Sequence, residues 1–338
     1  MIKRTHFVEN IALIAAAVVL PIVAPEYKTQ LSLLWLFVLF ALTWDLQGGQ
    51  MGYNSFGNIV FFGIGMYAST SAQVGLFFDL SEWTEAGGEN TFIHMPWQYF
   101  VGFGVGLVAA VVAALLVAMV FGGMILNMRG QYFAICTLGF GIAAGEIAAS
   151  VEIVGAGSGM SVPVWPEEAG ELAVRDLIFY GMAAFLGISC FWTMRWLHQT
   201  RFGLSLNAIR DDEGKAEAMG LPVKKCKNMS WMVSAFFLGL AGALMGHMIG
   251  FIEPTDVAFA GATFGVWMVL MAILGGKGTL WGPVIGAVLF QFFKEFFWTY
   301  FLGWQYVMLG LLIVIAVVFF PEGIVGFWRR RRAAAGDK

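Results

Sequence analysis

Apolar residues fill this chain in runs long enough to reach across lipid, and short polar breaks close each run. A helix needs about 20 apolar residues to cross the hydrocarbon core, fewer where it is broken or enclosed by other helices. The pattern predicts about ten such helices, over Ile11–Ala24, Leu31–Leu46, Ser55–Phe78, Trp97–Gly123, Tyr132–Val154, Leu177–Leu197, Met229–Phe251, Gly261–Leu274, Leu280–Phe301 and Trp304–Phe320. What remains between them is too short for a globular domain of about 100 residues. The expected architecture is an all-α membrane protein: a polytopic helical bundle with broken helices, one transmembrane domain over residues 1–338. The basic, then apolar N-terminus reads as a retained first span, because no small-x-small cleavage site follows it.

One polar interruption differs from the rest. Between Arg195 and Lys227 lie seven of the chain's 19 Lys and Arg residues. From Gly203 to Gly220 the segment has no proline and is rich in helix formers. Leu206, Ile209, Ala216 and Met219 fall near one face at 3.6 residues per turn, with Asp212 and Glu213 inside that stripe. Gly214 is expected to divide it into two short helices, and Gly220 with Pro222 behind it to stop the second. A connector needs only a few residues. The segment therefore predicts an ordered docking element for a soluble partner, contacted at Ile209–Glu213 and Lys215–Gly220, with the flanking lysines as membrane-surface anchors.

Composition agrees with a bilayer protein: 59% hydrophobic, 12% charged, mean hydropathy +0.77, against roughly 25% charged residues in soluble domains. The net charge of −3 says little, since positive residues orient a membrane protein by where they sit. An even number of spans puts both termini on one side, and the basic residues at both ends mark that side as cytoplasmic. Lys3, Arg4, Arg129, Lys277 and Arg329–Arg332 would then be inside with the polar segment, and Glu82, Glu85, Glu89, Glu167, Glu168, Glu171, Glu253 and Asp256 outside. Arg175 is the main basic exception. Cys136, Cys190 and Cys226 have no metal or disulfide spacing.

Two glycine clusters, Gly48–Gly65 and Gly275–Gly286, each begin Gly-Gly at the predicted inner end of a span and suggest a possible internal repeat. Gly63 and Gly65, and Gly102, Gly104 and Gly106, lie two apart, a spacing that gives no single i, i+4 face; helix packing is still their expected role. Around Gly57, the hydrogen-bonding side chains of Asn54, Ser55 and Asn58 suit a substrate pathway. Glu146 sits mid-span, where a carboxylate costs about 2.5–3.5 kcal/mol. It is expected either to face a wet cavity on that pathway or to bond a neighbouring helix. Asp45 and Glu295, nearer span ends, read as structural, and His247 as a packed, hydrogen-bonded histidine. No metal-ligating set, G-x-S-x-G or H-E-x-x-H pattern occurs. Gly276-Lys277-Gly278-Thr279 fails as a phosphate loop: Met271 stands where the leading glycine belongs, and Gly278 at the Ser/Thr position. An ATP-independent secondary transporter or a membrane scaffold also fits a helical bundle of this kind.

Five blocks resemble the membrane permease subunits of ABC importers of the branched-chain amino-acid type: Gly52–Tyr67, Met128–Gly141, Arg201–Gly220, Leu274–Val288 and Phe320–Gly326. The resemblance implies a cytoplasmic (inner) membrane location in a prokaryote, and four partners besides the lipid bilayer: a second homologous permease, two cytoplasmic ATPase subunits and a soluble substrate-binding protein. ATP and Mg would be bound by the ATPases, with no cofactor on this chain and no nucleic acid involved. It implies that residues 198–228 carry the ATPase-coupling segment, with Arg201, Gly203, Ile209, Arg210, Asp212, Glu213, Ala216, Glu217, Met219 and Gly220 as its candidate residues. Asn54, Ser55, Gly57, Asn58 and Glu146 are the candidate pathway residues. Asp45, Asn54 and Asn58 depart from the family pattern, so urea, amides or another small polar solute stand beside branched-chain amino acids as cargo.

Overall fold

The computed structural model describes residues 2–86, 94–319 and 323–328. Helices occupy all ten predicted apolar runs. They are α1 (Ile2–Val23), α2 (Lys28–Gly48), α3 (Asn58–Gly75), a short α4 (Leu80–Glu85), α5 (Pro96–Ile125), α6 (Gln131–Ser150), α7 (Leu172–Gln199), α8 (Arg201–Asp211), α9 (Glu213–Ala218), α10 (Val223–Ile249), α11 (Val266–Gly275), α12 (Trp281–Tyr300) and α13 (Gln305–Phe319). Among the described residues, α2, α5, α6, α7, α10 and the Pro254–Gly275 stretch are long and apolar enough to cross a membrane. This is an all-α, multi-pass membrane protein. Its one extended pairing there is a two-residue antiparallel contact of β1 (Met160–Ser161) with β2 (Phe251–Ile252). The eighth predicted run is the broken one. Wide turns at Pro254–Ala258 and Gly261–Gly265 precede α11, where Phe259 N–H reaches back to Pro254 O and Gly265 N–H to Ala260 O. Arg329–Arg332, Glu89 and Phe320–Glu322 lie outside the described residues, as do the side chains of Lys3 and Arg4.

Two groups of helices make the bundle. In the first, α2 stands among α7, α10, α11 and α12, and every residue from Trp35 to Gly48 is buried. In the second, α5 packs on α3 and α10 through a stripe of small residues, Gly102, Gly106, Ala110, Ala114, Ala118 and Gly122, all buried and four apart. Gly102 and Gly106 thus do share an i, i+4 face, continued by alanines, while nothing stands within contact of Gly104. Small side chains let the backbones approach closely. The opposite face of α5 presents Val101, Val105, Val108, Val112 and Leu116 outward, as a lipid-facing surface would. α1 leans on α7, where Trp192 Nε1 and Arg195 Nη1 both donate to Asn10 Oδ1 at 3.3 and 3.2 Å.

The charges sort to two ends. Arg129, α8, α9 and the Lys277 loop gather at one end with the C-terminus of α2. At the other, Trp83 of α4 donates to Ser161 O at 2.9 Å and Asp79 caps α4 by accepting from Ser81 N–H at 2.9 Å. His247 is packed and hydrogen-bonded at that far end, with Nδ1 2.8 Å from Ala243 O, Nε2 facing Gln73 Oε1 and the Phe103 ring edge-on.

Candidate functional site

The polar segment folds back on the bundle because Thr200 alone separates α7 from α8. Gly203 makes that reversal possible: a Cβ there would lie 2.5 Å from Leu197 O and 2.9 Å from His198 Cα. Leu206 and Ile209 bury on the same face. The break between the two short helices falls at Asp212 rather than Gly214, which lies inside α9. Asp212 is extended (φ −164°, ψ 106°) and its carboxylate accepts from Lys215 N–H at 3.0 Å. N-cap chemistry outweighs the modest helix penalty of glycine here, and the same hydrogen bonds from Lys215 hold the Asp212 carboxyl below its ordinary range. The break rotates α9 relative to α8. Ala216 consequently stays buried while Met219, placed by sequence on the same stripe, is 84% exposed.

Glu213 turns inward. Its Oε1 lies 2.7 Å from Lys227 Nζ and 3.4 Å from Arg129 Nε, and its Oε2 accepts from the Tyr53 hydroxyl. Lys227 is only 1% exposed. Its Nζ also donates to Tyr53 Oη at 2.7 Å and to Leu126 O at 3.3 Å. Lys227 is therefore no surface anchor: helical phase puts it on the inward face of α10 with Val223, Cys226, Ser230 and Trp231, all buried, where only a full set of acceptors makes it tolerable. Burial acts to raise the Glu213 carboxyl, but the hydrogen bonds from Lys227 and Tyr53 and the charges of Lys227 and Arg129 prevail and hold it below its ordinary range. Burial first, then the neighbouring Glu213 carboxylate, pushes the Tyr53 phenol well up. Tyr53 and Lys227 escaped the sequence reading. The available signal was its spacing, four residues from Val223 and four from Trp231 on the face that α10 buries.

Arg210 makes a second link. Its Nη1 donates to Gly49 O at 3.4 Å, beside the place where the two glycine clusters meet. Asp45 of α2, 2% exposed, accepts from Gly278 N–H at 2.7 Å, a bond to a neighbouring segment of the kind its structural reading expects. A Cβ on Gly49 would sit 1.9 Å from Asp45 Oδ1 and 2.4 Å from Gly278 N.

The outward face of the segment holds Arg201, Leu204, Asp212, Glu217, Met219 and Gly220, all exposed. Glu217 pairs at its margin with Arg129 at 3.4 Å.

The pathway candidates separate. Asn54 is exposed, whereas Ser55, Gly57 and Asn58 are buried; Ser55 O accepts from Trp44 Nε1 at 2.7 Å. Phe56 N–H donates to Thr137 Oγ1 of α6 at 3.1 Å. Glu146 is exposed on α6, and with Phe56, Ile59, Ile142, Thr255 and Val266 it lines a groove of about 310 Å³. A larger groove of about 530 Å³ on the neighbouring side of α6 is walled by Val60, Ile64, Phe121, Phe140 and Ile147 and has no charged residue. The smaller groove is the better candidate for a polar solute, since it alone of the two offers a charged group. Phe56 and Ile59, rather than Ser55 and Asn58, bring the α2–α3 loop and α3 to it.

The family described as branched-chain amino acid transport system / permease component matches residues 28–317. The chain is 27% identical over 280 residues to the high-affinity branched-chain amino acid transport system permease protein LivM of Escherichia coli (strain K12), covering 74% of this chain and 65%, less than two thirds, of that relative. It is 22% identical over 333 residues to the probable branched-chain amino acid transport permease protein LivM of Methanocaldococcus jannaschii, covering 87% of this chain and 92% of the relative. The fructose import permease protein FrcC of Rhizobium meliloti is 29% identical over 168 residues, 46% of this chain and 42% of the relative. No solved structure matches.

Proposed function

The chain belongs to the branched-chain amino acid transport permease family, and from that premise we propose that it forms half of an ATP-driven import pathway for branched-chain amino acids. A second permease supplies the other half, two ATPase subunits bind ATP and Mg on the cytoplasmic side, and a soluble binding protein delivers the solute at the far end. The observation that carries this reading is the two-sided build of α8 and α9. Their inner face is fixed by Leu206, Ile209, Ala216 and Glu213, and their outer face offers exposed Leu204 and Met219 among charges. Exposed apolar side chains on a rigid, polar-rimmed element suit a protein partner. A secondary transporter has no use for such an element.

In this reading ATP binding closes the partner ATPases, moves α8 and α9, and switches the paired permeases between outward and inward access. Glu146 and the groove beside it line the route. A second cargo class, a simple sugar, is favoured by the similarity to a fructose import permease; urea and amides stand beside it only through the departures at Asp45, Asn54 and Asn58. Purification in mild detergent with the neighbouring transport subunits, followed by uptake of leucine, fructose and urea in proteoliposomes, tests both. An ATPase held by the chain and ATP-dependent leucine uptake are expected. ATP-independent uptake, or no ATPase in the complex, overturns the proposal. Glu217→Lys, on the outer face, is expected to leave insertion intact and uncouple ATP hydrolysis from uptake; normal transport by it would remove the coupling role from α9.

A further inference from the structure

All three hydrogens of the Lys227 ammonium have acceptors, and each acceptor comes from a different piece of chain. Glu213 Oε1 belongs to α9, Tyr53 Oη to the α2–α3 loop and Leu126 O to the end of α5. Lysine has three donors and no acceptor, so this set is complete. The Tyr53 hydroxyl is used twice, accepting from Lys227 and donating to Glu213. Arg129, from the α5–α6 connection, closes on Glu213 and Glu217 from outside.

We propose that Tyr53, Glu213 and Lys227 are positioning residues that pass displacement of α9 to the α2–α3 loop and from there to the wall of the groove containing Glu146. The inference rests on the ATP-driven reading given above. An exposed ion pair slips easily, because water replaces either partner. A buried donor has no such replacement, so separating Glu213 from Tyr53 and Lys227 leaves polar groups unmet and is strongly opposed. Movement of α9 therefore takes Tyr53 with it.

From Tyr53 the chain of contacts is continuous. Three residues on, Phe56 N–H is held by Thr137 Oγ1 of α6, the helix that carries Glu146. Phe56 and Ile59 themselves line the groove. A push on α9 thus reaches the groove from two sides, through α3 and through α6. Arg210 on Gly49 O runs beside this route, at 3.4 Å and with an exposed side chain, and is the weaker connection.

The decisive measurement is leucine imported per ATP hydrolysed, using the full complex with its ATPases and binding protein in proteoliposomes. Tyr53→Phe removes one hydroxyl and leaves the Glu213–Lys227 pair. It is expected to keep the ATPase subunits bound and ATP hydrolysis running, while leucine imported per ATP falls about threefold to tenfold, within the span of effects seen for residues on a coupling route. The double variant Glu213→Gln, Lys227→Met is expected to behave alike. Should the double variant fail to assemble, Tyr53→Phe decides alone. An unchanged ratio in Tyr53→Phe overturns the proposal, and so does release of the ATPase by that variant, since Tyr53 would then only shape the docking surface. A wild-type complex that imports no leucine with ATP defeats the functional reading instead, so the two failures are distinguishable.

Discussion

Lys227 Nζ lies 2.7 Å from Glu213 Oε1, yet the two side chains are unequally covered, at 1% and 16% exposure. The pair is asymmetric: one partner has access to water and Arg129, and the other has only the acceptors around it.

Removing the acceptor should therefore cost more than removing the donor. Glu213→Leu strands a buried ammonium and is expected to destabilise the fold by about 3 kcal/mol, the lower end for a broken buried pair. Lys227→Met leaves Glu213 with Arg129 and some solvent, and about 1–2 kcal/mol is expected. The double variant should regain most of the loss, since an apolar replacement of both partners is often neutral. Thermal unfolding of the three variants in one detergent checks the order. Equal losses from the two single changes would contradict the asymmetry.

Acidity gives a separate handle. The folded Glu213 carboxyl titrates below its ordinary value of 4.5, so its stabilising contribution is fully present above about 4.5 and is lost as pH falls through the lower folded value. The Tyr53 phenol titrates above its ordinary value of 10.0, so its contribution is complete below about 10 and is lost only as pH rises through the folded value. The stability difference between wild type and Glu213→Gln should be flat from about pH 6 to 8 and shrink in acid below about 4.5. A difference that already changes near pH 7 would show that another group controls the network.

Gly49→Ala tests the meeting of the two glycine clusters. The added methyl would intrude on both Asp45 Oδ1 and Gly278 N, forcing apart a hydrogen bond that is buried at the end of α2. A loss of about 2–3 kcal/mol is expected, as for an overpacked interior. Gly104→Ala, with open space at that position, is the matched control and should change stability by less than about 0.5 kcal/mol.

Glu146→Gln addresses the groove. Because Glu146 is exposed on α6, the change should leave unfolding within about 0.5 kcal/mol of wild type, while uptake rate or solute preference shifts. Unaltered transport with reduced stability would make Glu146 a structural carboxylate.

Much of the helix order was legible because apolar run length and lipid thickness are tied by one rise per residue. Positive charges likewise marked which loops share an end. Legibility stopped where contacts join distant segments. Helical phase separates Lys227 from the exposed Lys224 and Lys225, but that its charge can be buried follows from Glu213, Tyr53 and Leu126 O arriving from elsewhere. Met219 was misplaced because a single helical phase was carried across Asp212, whose capping side chain resets it. Packing is the expected role of Gly102 and Gly106, but their shared face shows only once the alanines at 110, 114 and 118 are counted with them; glycine alone was the wrong alphabet for small residues.

The all-round burial of α2 has a mechanical consequence. A helix enclosed from Trp35 to Gly48 and tied by Asp45 to the Gly278 loop has no free side along which to slide or roll. In the import cycle proposed above it is expected to stay fixed, and movement to fall on what is thinly held, namely α6, with buried Phe133, Thr137, Gly141 and Gly145 along one side, and the wide-turned stretch from Pro254 to Gly265 that leans on it.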